Sequence, residues 1–310
     1  MSLHPQSQAF LDAVAANSRP GWDEMPTQQS RDIFSAMTDL FETGPELSRV
    51  ENLITENNVR LRIYQAERSH EATPAVLYFH GGGWVLGDLG SHDTLCRRLA
   101  AESGLIVVSV DYRRAPEHVY PAALEDCLDA AAFITEHCEE LGVEGAQLIV
   151  AGDSAGGNLA AAVSLRTRDA ANDAAPSPII GQLLIYPALS ADFDSESYTK
   201  FAEGFGLTRQ IMIWFWEQYL GLQTADQFAA PALAESLTGL PPTHVITAEY
   251  DILRDEGEAF AERLMAAGVP TTQIRYDGML HAFMHFTGAI GAGREAVSET
   301  AEVLRNFCGR

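Results

Sequence analysis

The chain has 310 residues, of which 46% are hydrophobic, and 20 basic against 43 acidic residues give a formal net charge of −23. This composition excludes a disordered chain, and the lack of a basic stripe argues against a nucleic acid partner. No apolar run reaches 18 residues, so we expect no membrane span. Residues 1–14 lack the features of a secretion signal. Four cysteines without paired or metal-type spacing favour a reducing cytoplasm and no metal site.

The first predicted elements are two short helices within residues 1–48, which have no core of their own. The runs VENLIT and NVRLRIYQA follow, and the Asn-rich turn between them predicts a β-hairpin. From about residue 74, apolar strands alternate with helices. Strands that are apolar on both faces belong inside a parallel sheet. The alternation therefore predicts an α/β fold with a mostly parallel central sheet flanked by helices.

Residues 190–225 interrupt this alternation between two core strands and are rich in aromatic side chains. A crossover helix with a buried face would explain part of the segment. Its length and its many large apolar side chains favour an inserted cap instead. We therefore expect a core made of residues 49–189 and 226–310, and a helical cap made of residues 1–48 and 190–225.

Ser154 lies at the centre of the sequence GDSAG, directly after the strand AQLIVAG and at the start of a helix. The pattern G-x-S-x-G in this context is typical of the nucleophile elbow of α/β-hydrolases. The sharp turn crowds the backbone two residues before and two residues after the serine, where Gly152 and Gly156 stand. A helix-capping serine is the alternative, but the context favours a nucleophile.

A serine nucleophile needs a base, and the base needs an acid to orient it; in this fold their order is Ser, acid, His. His281 follows the last strand and is the preferred base. His285 is expected in the next helix with a packing or surface role, and His244 begins a strand at the wrong edge of the sheet.

Asp251 ends a strand, where ligands bind in open α/β sheets, and is the preferred acid. Asp255 is its closest rival, although a helix N-cap role explains it.

Three consecutive glycines, Gly81 to Gly83, follow the strand PAVLYFH. A flexible turn would explain them in isolation. However, attack on an ester carbonyl builds negative charge on its oxygen, which preorganised backbone N–H groups stabilise. The amide that follows the nucleophile, that of Ala155, would be one donor, and the glycine loop would supply the others.

Six motifs resemble the hormone-sensitive lipase family of α/β-hydrolases, in its bacterial and archaeal carboxylesterase branch of the GDSAG type. They are HGGGW, DYRRAPEHVYPAALEDC, GDSAGGN, YP, DILRDEG and GMLHAF, and they run in family order from about residue 60 to 290. The resemblance implies the α/β-hydrolase fold with a helical cap. It also implies a catalytic triad of Ser154, Asp251 and His281. An oxyanion hole would be formed by Gly82, Gly83 and Ala155.

Two positions depart from the family pattern. Ile252 follows the expected acid where proline is common, and Arg114 stands where leucine is more usual. Neither change removes a catalytic group, but both bear on the local loop geometry and on the shape of the pocket.

The expected function is that of a serine carboxylesterase that hydrolyses short- to medium-chain esters through an acyl-enzyme. A deacetylase or amidase with the same triad remains an alternative. A ligand-binding receptor is another class on this scaffold, but the plant gibberellin receptors that resemble this family lack the catalytic histidine, whereas His281 is present.

No dinucleotide fingerprint appears, so we expect no cofactor. The expected partner is a small-molecule ester, and the expected oligomeric state is a monomer or homodimer.

Overall fold

The structure is a computed structural model that describes residues 2–16, 20–39, 43–67, 72–171 and 177–309. Within these ranges, eight strands form one sheet with helices on both faces. The strands are β1 (Arg49–Ile54), β2 (Arg60–Gln65), β3 (Thr73–Phe79), β4 (Ile106–Asp111), β5 (Val143–Asp153), β6 (Ile179–Ile185), β7 (Thr243–Tyr250) and β8 (Thr271–Leu280). The helices are α1 (Pro5–Ala16), α2 (Thr27–Asp39), α3 (Asp93–Ser103), α4 (Ala122–Glu136), α5 (Cys138–Leu141), α6 (Ala155–Ala170), α7 (Glu196–Lys200), α8 (Arg209–Leu220), α9 (Arg254–Ala266) and α10 (Gly291–Phe307).

The strand order in the sheet is β1-β2-β4-β3-β5-β6-β7-β8. β2 pairs antiparallel with both β1 and β4, whereas all the other neighbouring strands are parallel. This confirms the mostly parallel sheet expected from the sequence. Because the carboxyl ends of parallel strands meet at one edge of a sheet, the residues that follow β3, β5, β7 and β8 are brought together there.

The strand β3 shows why the sheet is covered on both faces, since each of its seven residues is buried. Successive side chains of a strand point to opposite faces. Val76 and Tyr78 belong to one apolar cluster, with side chains of α3 and α10. Ala75 and Leu77 belong to the other cluster, with side chains of α4 and α6. Two-sided burial of this kind explains the continuous apolar runs in the sequence.

The N-terminal segment is anchored at the carboxyl edge of the sheet. Arg31 of α2 donates to the carbonyl oxygens of Val85 (2.8 Å) and Ala115 (2.9 Å) and pairs with Glu117 at 2.7 Å. Arg31 thus fastens α2 to the loops that follow β3 and β4. None of the helices in the described part of the chain is long and apolar enough to cross a membrane.

The segment between β6 and β7 contains α7 and α8. On α8, the ring of Tyr219 stacks on Trp84 with 4.3 Å between ring centroids, and the ring of Trp216 lies 4.6 Å from Trp84. Much of the aromatic content of this segment is thus packed into the core, and the side chains of Met212 and Phe215 on the same helix line a cavity.

Candidate active site

Ser154 lies in the sharp turn between β5 and α6, with φ of 55° and ψ of −118°. A positive φ is uncommon for a residue with a side chain and marks a strained position that the surroundings must hold. The turn is tight: a Cβ added to Gly156 would lie 1.9 Å from the carbonyl oxygen of Phe79. A Cβ on Gly152 would lie 2.3 Å from the carbonyl carbon of Gly156. Only glycine fits at both positions, which explains the flanking glycines of the GDSAG sequence.

The structure brings the three predicted residues Ser154, His281 and Asp251 together. His281 lies directly after β8, and its Nε2 is 3.0 Å from Ser154 Oγ. On the other side of the ring, Nδ1 is 2.7 Å from Asp251 Oδ2. The second oxygen of Asp251 accepts the amide N–H of Leu253 at 2.9 Å, which fixes the orientation of the carboxylate. The Asp251 side chain is fully buried, whereas that of His281 is 11% exposed, so the base faces the open side.

The rival Asp255 lies outside this hydrogen-bond chain. Its carboxylate accepts the amide N–H of Ser197 on α7 at 2.7 Å and pairs with Arg254 at 2.8 Å. The expected N-cap role is wrong, because α9 begins at Arg254 and Leu253 occupies the cap position. Asp255 instead holds α7, where the hydroxyl of Ser197 also donates to the carbonyl oxygen of Ile252 at 2.6 Å.

The two rival histidines also lie elsewhere. His244 is the second residue of β7, at the far end from Asp251, and its Nδ1 is 2.6 Å from Thr272 Oγ1. His285 lies in a series of turns between β8 and α10, and the expectation that it belongs to the next helix is wrong. Its ring lines the cavity beside Ser154.

The glycine loop after β3 is held in place from several sides. The amide N–H of Gly81 donates to Asp153 Oδ1 at 3.0 Å, and the Tyr112 hydroxyl donates to the carbonyl oxygen of His80 at 2.7 Å. Arg114, one of the two departures from the family pattern, donates to the carbonyl oxygen of Gly87. Glycines lose much backbone freedom on folding, and several glycines of this loop have positive φ. The hydrogen bonds hold the loop in one conformation.

Within that loop, Gly82 and Gly83 have φ values of 112° and 61°. A Cβ on Gly82 would lie 2.5 Å from the carbonyl oxygen of Leu86, and one on Gly83 would lie 2.2 Å from ring carbons of Phe215. Both Gly82 and Gly83 line the same cavity as Ser154. Ala155 is the first residue of α6, so its amide belongs to the N-terminal turn, the positive end of the helix dipole.

A cavity of about 160 Å³ lies above Ser154. The N-terminal segment and α8 form much of its wall, and apolar side chains predominate. The apolar side chains are Phe10, Leu11, Val14, Trp22, Phe34, Met37, Leu86, Leu207, Ile211, Met212, Phe215, Ala282 and Phe286. An apolar cavity with a few convergent polar groups is the usual form of a small-molecule site.

A buried polar network lies under one side of this cavity. Asp153 is 4% exposed, accepts the Tyr78 hydroxyl at 2.7 Å, and has its Oδ1 3.3 Å from Nε2 of His92. Burial by itself would raise the pKa of the Asp153 carboxyl, but His92 and the Tyr78 hydroxyl lower that pKa below its usual range. No sequence pattern points to this pair, because Asp153 at the end of β5 and His92 before α3 are 61 residues apart and meet only in the folded chain.

Among the described residues, no group of three or more His, Cys, Asp or Glu side chains is arranged to hold a metal ion. Ser154, His281 and Asp251 form a continuous chain of polar contacts beside the cavity.

Comparison with known proteins places this chain in a family. A sequence profile of the α/β-hydrolase fold matches residues 76–285. The carboxylic ester hydrolase LipN of Mycobacterium tuberculosis is 42% identical over 245 residues, which make up 77% of this chain and 65% of that protein. The ethyl acetate hydrolase of Pseudomonas putida is 32% identical, and the match covers 98% of this chain and 99% of that protein.

The fold is also similar to solved structures. An ester hydrolase from the metagenome of Lake Arreo, EH1AB1 in complex with a bipyridine phosphonate derivative, has a TM-score of 0.92 and 40% identity, covering 99% of this chain and 100% of that one. A hyperthermophilic esterase from Pyrobaculum calidifontis has a TM-score of 0.89 and 38% identity, covering 99% of both chains.

The chain belongs to this family of α/β-hydrolase-fold proteins, and the resemblance to the hormone-sensitive lipase group is confirmed. Within it, the chain is a carboxylic-ester hydrolase.

Proposed function

We propose that the chain is a serine carboxylesterase in which Ser154, His281 and Asp251 act as a catalytic triad. The observation that supports this is the continuous pair of contacts from Ser154 Oγ to His281 Nε2 (3.0 Å) and from His281 Nδ1 to Asp251 Oδ2 (2.7 Å). The geometry lets His281 take the serine proton at Nε2 while its Nδ1–H remains hydrogen-bonded to Asp251.

The reaction then proceeds in two halves. Ser154 Oγ bonds to the ester carbonyl carbon as its proton moves to His281. That proton passes to the alkoxy oxygen when the C–O bond breaks, so the alcohol leaves and the acyl group stays on Ser154. A water molecule gives its proton to His281, attacks the acyl carbon, and releases the acid as the proton returns to Ser154.

In this proposal the amides of Gly82, Gly83 and Ala155 stabilise the negative charge that develops on the carbonyl oxygen. The support is the rigidity of the glycine loop and the position of Ala155 at the N-terminus of α6. Each such donor contributes about 3 kcal/mol to lowering the barrier.

Ser154→Ala tests the proposal against Ser164→Ala as a matched control. Ser164 is also buried on α6, and its hydroxyl has no hydrogen-bond partner in the described part of the chain. Ser154→Ala should be folded and lose p-nitrophenyl butyrate hydrolysis almost completely, whereas Ser164→Ala should retain it. A p-nitrophenyl phosphonate should add to Ser154 in the wild type and in Ser164→Ala. Retention of more than about a hundredth of wild-type kcat by Ser154→Ala would refute the assignment.

We also propose that residues 1–48 and 190–225 form a cap that limits the size of the acyl group. The cavity walls support this, since Trp22, Phe34 and Phe215 from these segments lie around the space above Ser154. Each methylene that fits adds about 0.8 kcal/mol, whereas the first that does not fit must displace packed side chains at a cost of roughly 1–3 kcal/mol. kcat/KM should therefore be highest for acyl chains of roughly four to eight carbons.

A panel of p-nitrophenyl esters with graded acyl chains, run beside acetylated sugars and p-nitroanilides, tests this range against the deacetylase and amidase alternatives. Faster cleavage of an anilide than of the matched ester would favour an amidase. Equal rates on long and short acyl chains would contradict a limiting cap.

A cytoplasmic location is also proposed, supported by four cysteines that form no disulfide among the described residues. The monomeric or homodimeric state remains a prediction, and light scattering on the purified protein tests it.

A further inference from the structure

The ring of His285 is the least satisfied polar group in the wall of the active-site cavity. Both of its ring nitrogens are shielded from solvent and have no hydrogen-bond partner in the described part of the chain. A buried polar group without a partner destabilises the fold, so its presence calls for an explanation. The ring stacks on Phe34 with 6.0 Å between centroids and an interplanar angle of 12°, and lies 4.5 Å from the ring of His92.

The other polar side chains of the cavity wall already have partners. Ser154 and His281 are within hydrogen-bond distance of each other. His92 is near Asp153 at 3.3 Å and lies 2.9 Å from the hydroxyl of Ser91. Among the described residues that line the cavity, His285 is thus the side chain in which both ring nitrogens lack a hydrogen-bond partner.

The chemical state of His285 is that of a neutral imidazole. Burial, with a smaller effect from the neighbouring His92, lowers the pKa of His285 to about 3. A neutral imidazole has one N–H donor and one acceptor nitrogen, so it can bind either a hydroxyl or a carbonyl oxygen. The ring lines the cavity, and its terminal torsion is broad, so a rotation about the Cβ–Cγ bond changes which ring atoms face the cavity.

We propose that His285 is a specificity-determining residue that hydrogen-bonds a hydroxyl or keto group on the substrate, so that the enzyme prefers hydroxy- or oxo-substituted esters to their unsubstituted analogues. This rests on the proposed function, since the ester must lie in the cavity beside Ser154. A purely hydrocarbon chain in the same place leaves both nitrogens without partners. A site built to bind a polar group discriminates strongly against the analogue that lacks it.

The test compares kcat/KM within matched pairs of esters. One arm places the polar group on the acyl side: ethyl butyrate against ethyl 3-hydroxybutyrate and ethyl 3-oxobutyrate. The other arm places it on the alcohol side: butyl acetate against 3-hydroxybutyl acetate. In the wild type, the substituted ester of at least one arm should have the higher kcat/KM.

Two variants of His285 separate hydrogen bonding from packing. His285→Phe keeps a ring but removes both nitrogens, and should lower the substituted-to-unsubstituted ratio about tenfold, the effect of one neutral hydrogen bond. His285→Gln keeps a donor and an acceptor and should preserve more of the ratio. Phe34→Leu is the matched control, because it alters the wall next to His285 without changing its hydrogen-bonding groups, and it should change both members of a pair alike. If His285→Phe does not fold, His285→Leu provides the apolar variant.

The experiment distinguishes a wrong role for His285 from a wrong catalytic triad. If the triad were misassigned, Ser154→Ala would still cleave ethyl butyrate. If the ratios in both arms were the same in His285→Phe as in the wild type, His285 would have a packing role only and the inference would be wrong. A ratio that Phe34→Leu lowers as much as His285→Phe does would also overturn it.

Discussion

The ring of Phe215 on α8 lies directly against the backbone of Gly83, so that a Cβ added to Gly83 would be 2.2 Å from the ring carbons. One contact thus joins the segment between β6 and β7 to the loop that is proposed to bind the oxyanion. Because Phe215 is only 5% exposed, the ring has little room to move away. The position of the Gly83 amide therefore depends on how α8 packs.

Gly83→Ala should reduce kcat by a factor of about 10² to 10³, the effect of losing one oxyanion donor. The added methyl group must either displace Phe215 or shift the loop, and a φ of 61° is unfavourable for alanine. Steady-state kinetics on p-nitrophenyl butyrate measures the loss.

Gly104→Ala is the matched control for this change. Gly104 also has a positive φ, 72°, but no atom lies within 4 Å of its Cβ position. The Gly104→Ala variant should lose some thermal stability and keep the kcat of the wild type. If Gly83→Ala kept kcat at the level of Gly104→Ala, the Gly83 amide would not be an oxyanion donor.

Asp251→Asn should lower kcat by about 10⁴, because the amide no longer orients and stabilises the protonated form of His281. Asp255→Asn should stay within roughly threefold of the wild type, since Asp255 holds Ser197 and Arg254. Circular dichroism should show both variants folded. A larger loss of kcat for Asp255→Asn than for Asp251→Asn would mean that the acid has been misassigned.

Several parts of the site could be predicted from the sequence because their causes are local. The crowded turn at Ser154 demands glycine two residues away on each side, and that demand is visible at a fixed spacing. Asp251 and His281 could be chosen because each follows a strand, and the carboxyl ends of parallel strands share one edge.

Other parts depend on packing that no spacing encodes. Phe34 lines the cavity from α2, and Arg31 of the same helix is hydrogen-bonded to the carbonyl oxygens of Val85 and Ala115, which are 54 and 84 residues further along the chain. The aromatic residues of α8 divide between the core and the cavity, since Trp216 and Tyr219 pack on Trp84 while Phe215 faces Gly83. The sequence showed their number but not this division.

The free energy of unfolding should decrease as the pH falls from about 6.5 towards 4. Burial lowers the pKa of His80 to about 3, that of His244 to about 4 and that of His285 to about 3. Below about pH 6.5 the unfolded chain takes up protons that these buried rings do not, so acid favours unfolding. Glu256 acts in the opposite direction above pH 4.5, because burial raises its pKa, and it therefore offsets part of the effect of the histidines.

Urea unfolding of His244→Gln at pH 7 and pH 5 tests this explanation. The difference in unfolding free energy between the two pH values should be smaller than in the wild type, by on the order of 1 kcal/mol. His118→Gln, which replaces an exposed histidine, is the control. An equal difference in His244→Gln and in the wild type would show that His244 contributes nothing to acid sensitivity.

Trp22→Ala should shift the preferred acyl chain to greater length. Trp22 lies in a short 3₁₀ helix before α2, lines the cavity, and packs edge-to-face on Phe34 with 6.0 Å between ring centroids. Removing the indole leaves space that extra methylenes can fill, each worth about 0.8 kcal/mol or roughly a fourfold increase in kcat/KM. Phe133→Ala removes an aromatic ring from α4, where Phe133 stacks on His137 away from the cavity, and should leave the profile unchanged. If the kcat/KM profiles of Trp22→Ala and Phe133→Ala coincide over the full series of p-nitrophenyl esters, the N-terminal segment does not set the limit on acyl length.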